Sequence, residues 1–466
     1  MSADREPVAG IGRSTVLAAA LVVVAASTFV AGPVRWAADN VREGFPGYFT
    51  AARLVAEGRW TAAVYDDTRF ARETLAVTDG RLGEIYRPNP PVTSLVMLPI
   101  AGLDLMDARR AWLLLEVGLV VVSWLLLLAA IPALRAPPLA LGLLALTLAW
   151  TPLQTDIRMG QAYVPLLALH AAALLAIAGR RARAALEGNP PLEGEARIEV
   201  GAPLEVGAPL EVGAARAVTA GVALGAAAAA KLAAIPWLVV LLLRGPRSAV
   251  VTALATAAAL AALTLGFAGN GGWSAFAGSA LYDVTSDRPS LAVTAYQSTA
   301  GLLRHLLAAD ATWNPGALAN LPLVARGVGL AVSAWVVVVT ILVVRRGRPE
   351  LVAALAVTAG VLALNVAQEY AFTLLLLPAA VALGRCAASS EVRPAWTAWL
   401  AVAIALIAAP LPYRSPVLDD GWLALLAYPR LYGAWLLWAW LAREIATEPA
   451  EIAVPPDSQR GTPETR

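Results

Sequence analysis

The feature that most constrains this chain is a series of apolar runs of about 20 residues, such as 14–32 and 112–131. A helix of that length crosses a hydrocarbon core of about 30 Å. Hydrophobic residues make up 59% of the sequence and charged residues 15%, whereas soluble domains have roughly 45–50% and about 25%. The sequence therefore predicts an all-α, multi-pass membrane protein rather than a soluble one.

Arginines in short loops set the expected orientation of the chain. They place GRRARA (179–184), RGPR (244–247) and RRGR (345–348) on one side, which the positive-inside rule identifies as cytoplasmic. We expect about 12 transmembrane helices (range roughly 10–13) in a plasma (inner) membrane, with both termini in the cytoplasm. The predicted spans are 14–32, 111–131, 138–151, 162–178, 217–230, 232–243, 249–267, 327–344, 350–366, 370–385, 396–411 and 424–442.

The regions between and around the spans differ in composition. The apolar stretch 91–103 is too short to span comfortably and is predicted to be interfacial or re-entrant. The predicted regions are a cytoplasmic N-terminus (1–13), a transmembrane domain (14–442) with a first extracytoplasmic loop containing short helices (33–110), a low-complexity cytoplasmic loop with a repeated PLEVGA hexad (179–216), a second extracytoplasmic loop (268–326), and a disordered cytoplasmic tail (443–466).

Rare residue types limit the chemistry. Cys386 is the only cysteine, so no internal disulfide and no cysteine metal cage can form, and two histidines make a histidine metal site improbable. Lys231 is the only lysine, which is compatible with an arginine-rich coding bias. A lysine at mid-membrane is unfavourable by roughly 2.5–3.5 kcal/mol, so Lys231 either reaches the interface or serves a site.

Several polar segments fall on the extracytoplasmic side of this topology. A polar cluster drawn from many helices at one membrane face indicates a functional site there, although each member alone also fits a solvated helix end. The segments are 39–67, EIYRPNPP (84–91), QTDIRMGQAY (154–163), Lys231, AYQSTAGLLRHL (295–306) and NVAQEY (365–370).

Five stretches carry a resemblance through their order and spacing. They are GFPGYFTAARLVAEG, YRPNPPVTSLVMLPIAGL, GQAYVPLLALHAAALL, GVALGAAAAAKLAAIPWLVVLLLRG and QSTAGLLRHL. Together they resemble glycosyltransferase family 87 over most of 33–385. The resemblance implies a GT-C fold, a mannosyl or related donor on a polyprenyl phosphate, an extracytoplasmic lipid or glycan acceptor and transfer with inversion. We expect no divalent metal, no other cofactor and no nucleic-acid partner.

The resemblance also implies roles for individual residues. Where the family has an aspartate four positions before Tyr48, this chain has Gly44, so Glu43 or Asp39 is expected to be the catalytic base. Lys231 and Arg304 align with basic positions and are expected to hold the donor phosphate, with Arg158 as a helper. Substrate contacts are expected from Tyr48, Gln161, Gln297, Gln368 and Glu369. The last two stand where the family has a histidine pair, and Tyr163 stands where it often has asparagine.

Elementary chemistry favours the same interpretation. An inverting transfer needs a carboxylate to take the proton of the acceptor hydroxyl, and a departing phosphate needs cations. A lipid-linked donor stays in the membrane, so its enzyme must work at the bilayer surface. The competing hypotheses are a transporter or flippase, which often has paired repeats and broken helices, and a non-catalytic envelope scaffold. No half-to-half repeat is evident in the sequence.

Overall fold

The computed structural model describes residues 12–87, 89–178, 213–285, 289–389, 393–419 and 421–448. The regular structure of these residues is helical, apart from two isolated bridges. The α-helices are α1 (Arg13–Phe29), α2 (Arg35–Asp39), α3 (Phe45–Ala56), α4 (Asp67–Val77), α5 (Leu105–Ala130), α6 (Pro137–Ala149), α7 (Thr151–Met159), α8 (Tyr163–Ile177), α9 (Ala214–Ala230), α10 (Ile235–Arg244), α11 (Arg247–Thr285), α12 (Thr299–Leu307), α13 (Pro322–Val343), α14 (Pro349–Leu362), α15 (Leu376–Ala388), α16 (Pro394–Ala408) and α17 (Pro429–Thr447).

Five helices within the described ranges are long and apolar enough to cross a membrane, and a sixth is added if α6 and α7, bent by 49°, form one span. The five are Arg13–Asp39, Leu105–Ala130, Arg247–Tyr282, Pro322–Val343 and Glu369–Ala388. The shorter apolar elements are Pro91–Ile100, Tyr163–Ile177, Ala214–Ala230, Ile235–Arg244, Pro349–Leu362 and Pro394–Ala408. The all-α membrane architecture is therefore confirmed, whereas the count of about twelve spans stays a prediction.

The first span continues beyond the end that the sequence predicts. A π-helical turn (Val30–Val34) follows α1, and α2 carries the helix on to Asp39. Pro33 lies inside that turn. Proline lacks an N–H and normally breaks an α-helix, and the wider turn accommodates the missing hydrogen bond. The segment between the first two long helices, here called the first segment, therefore covers 40–104 rather than 33–110.

The first segment is folded and is anchored to α11 by aromatic side chains. Trp60 and Tyr65 are buried, and their rings lie 5.2 Å from Phe267 and 6.0 Å from Phe276, respectively. The indole N–H of Trp60 also donates to Ser94 Oγ at 3.0 Å. The predicted interfacial stretch begins as a 3-10 helix (Pro91–Leu95) with buried residues. These contacts dock the first segment against α11.

The helix α11 is longer than the bilayer core requires. Its 36-residue apolar portion, Arg247–Tyr282, would extend about 54 Å as one straight helix. Gly269 interrupts it with φ 56 and ψ −173, a conformation open to glycine. Residues on both sides of Gly269, among them Phe267 and Phe276, pack on the first segment. The predicted loop 268–326 therefore begins as helix and also contains α12.

Two glycines bring α9 and α11 into close contact. A Cβ on Gly221 would lie 2.5 Å from the Ala249 carbonyl oxygen, and one on Gly225 would overlap the Ala253 carbonyl. Small residues four positions apart let two helix backbones approach, a common packing device in membranes. Because α9 ends at Ala230, this packing also sets the position of Lys231.

Some predicted regions lie partly outside the described residues. These are the N-terminus up to residue 11, positions 179–212 of the predicted loop 179–216, and positions 449–466 of the predicted tail. The sequence predicts a disordered tail from residue 443, but α17 continues to Thr447. The reason is packing: Ile445 is buried in the core, and Glu444 accepts a hydrogen bond from the Trp396 indole at 2.6 Å.

Candidate active site

A cavity of about 1400 Å³ lies where the first segment meets the ends of several membrane helices. Its walls come from the start of α3, the α7–α8 turn, the start of α10, the turn before α15 and the loop after α16. Seven of the ten predicted site residues line it: Glu43, Tyr48, Arg158, Gln161, Lys231, Gln368 and Glu369. The fold thus brings together residues that are up to 326 positions apart in the chain.

Three predicted site residues lie away from the cavity lining. Asp39 is exposed at the end of α2, and Arg304 is buried on α12. Gln297 is buried and bonded internally: its amide nitrogen donates to the carbonyls of Thr294 and Ala427, both at 2.7 Å. Its oxygen accepts from the Arg430 backbone N–H at 3.2 Å. In this structure Gln297 therefore supports the start of α17 instead of facing the cavity.

Lys231 places a positive charge in the cavity wall. It follows the last residue of α9 in extended conformation (φ −150, ψ 134) and is 8% exposed. Its Nζ donates to Asn89 Oδ1 at 2.5 Å. The same Nζ lies 5.2 Å from the ring centroid of Tyr48 and 5.7 Å from that of Tyr163, within cation–π range. In the part of the chain that the structure describes, these partners hold the ammonium group and no carboxylate lies within ion-pair distance of it.

The partners of Lys231 are themselves held in place. The Tyr48 hydroxyl donates to Gln161 Oε1 at 2.8 Å, and the Tyr163 ring lies 5.3 Å from that of Tyr370. The backbone carbonyl of Asn89 accepts from the Tyr65 hydroxyl at 2.9 Å. This network fixes the lysine against the cavity wall, as an electrostatic site requires.

The backbone turn at Gly44 requires a glycine. Gly44 has φ 111, a region that side-chain-bearing residues rarely adopt. A Cβ there would overlap the Gln161 side-chain amide and lie 2.9 Å from the Met159 carbonyl oxygen. An aspartate at this position is therefore incompatible with the observed packing. Glu43, next to it, is 55% exposed and pairs with Arg42 at 2.9 Å.

Glu84 enters the cavity beside Gly44. The sequence indicates its segment, EIYRPNPP, but assigns no role to this residue. Its Oε1 accepts from the Gly44 backbone N–H at 2.6 Å. Burial raises the pKa of Glu84 to about 7, and the nearby Glu43 charge adds to the rise, while the bond from Gly44 opposes it. A carboxyl group that titrates near neutral pH in a cavity is a candidate for proton transfer.

The far wall of the cavity contains a buried ion pair. Arg430, with a fully buried side chain, pairs with Glu369, and its Nη2 lies 2.8 Å from Glu369 Oε1. The second carboxylate oxygen accepts from the Thr155 hydroxyl at 3.1 Å. Arg414 and Tyr413 complete this wall. Sequence reasoning missed Arg430 because an arginine after a proline at a span end looks like an ordinary flanking charge.

The lining combines three chemical features. Lys231, Arg158 and Arg414 supply positive charge, and Glu43, Asp67, Glu84 and Glu369 supply carboxylates. Apolar side chains from the membrane helices, among them Ile235 and Leu330, complete the walls. Such a cavity can bind an anionic, partly apolar molecule and offers groups for proton transfer next to it.

Comparison with known proteins agrees with this chemistry. The family model of glycosyltransferase family 87 matches residues 88–367, which contain Lys231 and the α7–α8 turn. Gly44, Glu84 and Arg430 reach the cavity from outside the matched range. No curated protein and no solved structure matches the chain significantly. The match covers more than half of the chain, so this protein belongs to glycosyltransferase family 87 and is a membrane glycosyltransferase.

Proposed function

We propose that this glycosyltransferase moves a mannosyl or related hexosyl unit from a polyprenyl phosphate to a lipid or glycan acceptor, with inversion at the anomeric carbon. The reaction takes place at the extracytoplasmic face of the plasma membrane. It needs no divalent metal, because the leaving group carries one phosphate rather than the diphosphate that usually recruits such an ion. The shorter apolar helices complete a GT-C bundle of about 12 spans.

The observation that carries this proposal is the combination of Lys231 with an apolar opening of the same cavity. Leu232, Ile235 and Leu330 line the cavity and are each 41–46% exposed. In a membrane-spanning chain, exposed apolar side chains on such helices face lipid tails. A donor with a long isoprenoid tail could keep the tail in the bilayer and place its phosphate at the lysine.

A transfer assay tests this proposal. Purified protein in liposomes is incubated with octyl α-mannoside as acceptor and with one labelled donor at a time. The donors are two lipid-phosphate sugars, farnesyl-phosphate mannose and farnesyl-phosphate glucose, and two nucleotide sugars, GDP-mannose and UDP-glucose. We expect a glycosylated product from a lipid-phosphate donor only, in the presence of EDTA, and NMR should show the inverted linkage. Product formed only from a nucleotide sugar, or only with added Mg²⁺ or Mn²⁺, would contradict the donor class or the metal independence.

The sidedness is tested by cysteine labelling. In a Cys386→Ala background, Thr68→Cys places one thiol on exposed α4 and Ala446→Cys places one on the exposed face of α17. In right-side-out membrane vesicles, a membrane-impermeant maleimide is expected to label position 68 directly and position 446 only after detergent is added. The reverse pattern would place the cavity on the cytoplasmic side.

A further inference from the structure

Among the described residues, four carboxylates line the cavity, and three of these are paired with arginine. Glu43 lies 2.9 Å from Arg42, Asp67 pairs with Arg87, and Glu369 lies 2.8 Å from Arg430. Glu84 is the fourth, and within the described part of the chain no lysine or arginine lies within ion-pair distance of it. An arginine beside a carboxylate gives its negative charge a direct electrostatic partner. The pairing therefore separates Glu84 chemically from the other three.

Backbone contacts hold Glu84 without neutralising it. Its side chain accepts one hydrogen bond, from the Gly44 N–H at 2.6 Å. Its own backbone N–H donates to Thr74 Oγ1, a buried residue of α4, at 2.8 Å. Both ends of the residue are thus fixed to the first segment, while the carboxyl group remains on the cavity wall. This arrangement orients one carboxylate oxygen and leaves the other without a hydrogen bond among the described residues.

Resting on the function proposed above, we propose that Glu84 is the general base that takes the proton from the acceptor hydroxyl. The hydroxyl proton moves to the Glu84 carboxylate as the hydroxyl oxygen forms a bond to the anomeric carbon. The bond between that carbon and the phosphate oxygen breaks, and its electron pair leaves with the polyprenyl phosphate. Lys231 holds the additional negative charge that the phosphate acquires.

The pKa of about 7 suits this role, because a base is most effective when its pKa lies near the working pH. Glu43 then has a different function. Its negative charge raises the pKa of Glu84, so it tunes the base without receiving the proton itself. Removing the Glu43 charge should therefore lower the pKa of Glu84 and shift the pH profile, whereas removing Glu84 should abolish the step.

The decisive experiment compares carboxylate-to-amide variants in the transfer assay. Glu84→Gln keeps an oxygen for the Gly44 N–H but cannot take a proton, so we expect kcat to fall about 10²–10⁴-fold with donor KM within about threefold. Glu84→Asp should restore part of the rate. Glu73→Gln, in the same segment but outside the lining, where Glu73 is half-buried and pairs with Arg59, is the matched control and should behave as wild type.

The pH profile separates a base from a merely structural residue. Wild-type kcat/KM should rise with pH through about 7, since transfer needs the ionised carboxylate, and level off above it. Glu43→Gln should retain transfer within about tenfold, with this rise shifted to lower pH.

Three outcomes would overturn the assignment. Undiminished transfer by Glu84→Gln would refute Glu84 as the base and leave the transferase function standing. Loss of transfer in Glu43→Gln with an unchanged profile in Glu84→Gln would assign the base to Glu43. Absence of transfer by the wild type from every donor would overturn the proposed function and this inference together. Equal thermal unfolding of the purified variants shows that each comparison is between folded proteins.

Discussion

Replacing Lys231 by methionine is expected to lower kcat for glycosyl transfer by about 10²–10³-fold. In the proposed reaction, the donor phosphate carries one negative charge while it is esterified to the sugar, and gains a second as it leaves. A fixed ammonium group therefore stabilises the transition state more than the bound donor, so the loss should appear mainly in kcat. Methionine is close in length to the apolar stem of lysine but lacks the charge and the Nζ contacts with Asn89 and the two tyrosine rings.

Lys231→Arg distinguishes charge from geometry. Arginine keeps the charge, but its broad planar guanidinium replaces a compact ammonium group that fits between Asn89 and two tyrosine rings. We expect partial activity, above that of the methionine variant. Steady-state kinetics with labelled donor give both values. Full kcat in Lys231→Met would show that another cation holds the phosphate. Arg158 would then be the candidate, because it is the other predicted phosphate-binding residue that lines the cavity.

The second large effect concerns stability. Arg430→Met is expected to destabilise the fold by about 3–5 kcal/mol, because it leaves the buried Glu369 carboxylate without a positive partner. Arg430 also donates to the Leu406 carbonyl at 2.9 Å, a bond that the variant loses. Equilibrium unfolding in mixed dodecyl maltoside and SDS micelles, followed by tryptophan fluorescence, measures the difference.

The double variant Arg430→Met/Glu369→Gln tests the physical reason. Removing the charge of Glu369 as well should recover much of the lost stability, since no unpaired charge then remains buried. Arg59→Met is the matched control, because Arg59 pairs with Glu57 and Glu73 at the surface, where solvent screens the interaction. Equal destabilisation in the single and double variants would contradict a charge-pairing role for Glu369.

The transmembrane character and the polar segments were predictable because both depend on local composition. An apolar run of membrane-spanning length has few alternatives, and short polar stretches between such runs must lie near their ends. Tyr48, Gln161 and Lys231 were identified in this way and line one cavity. The helical part of 268–285 is not predicted from the sequence, because a glycine- and aromatic-rich stretch has little helical periodicity. Its helix is supported by packing against the first segment.

Sequence alone thus determined that this chain is a membrane protein, and the order of its motifs indicated the family. Only the tertiary structure decided which partners its charged side chains meet. Lys231 meets Asn89 across 142 positions, Arg430 meets Glu369 across 61, and Glu84 meets Gly44 across 40. The chemical character of each acid depends on its partner and its burial, and both arise from contacts between distant segments. Glu84 and Glu43 are the same residue type, and their different surroundings come only from the fold.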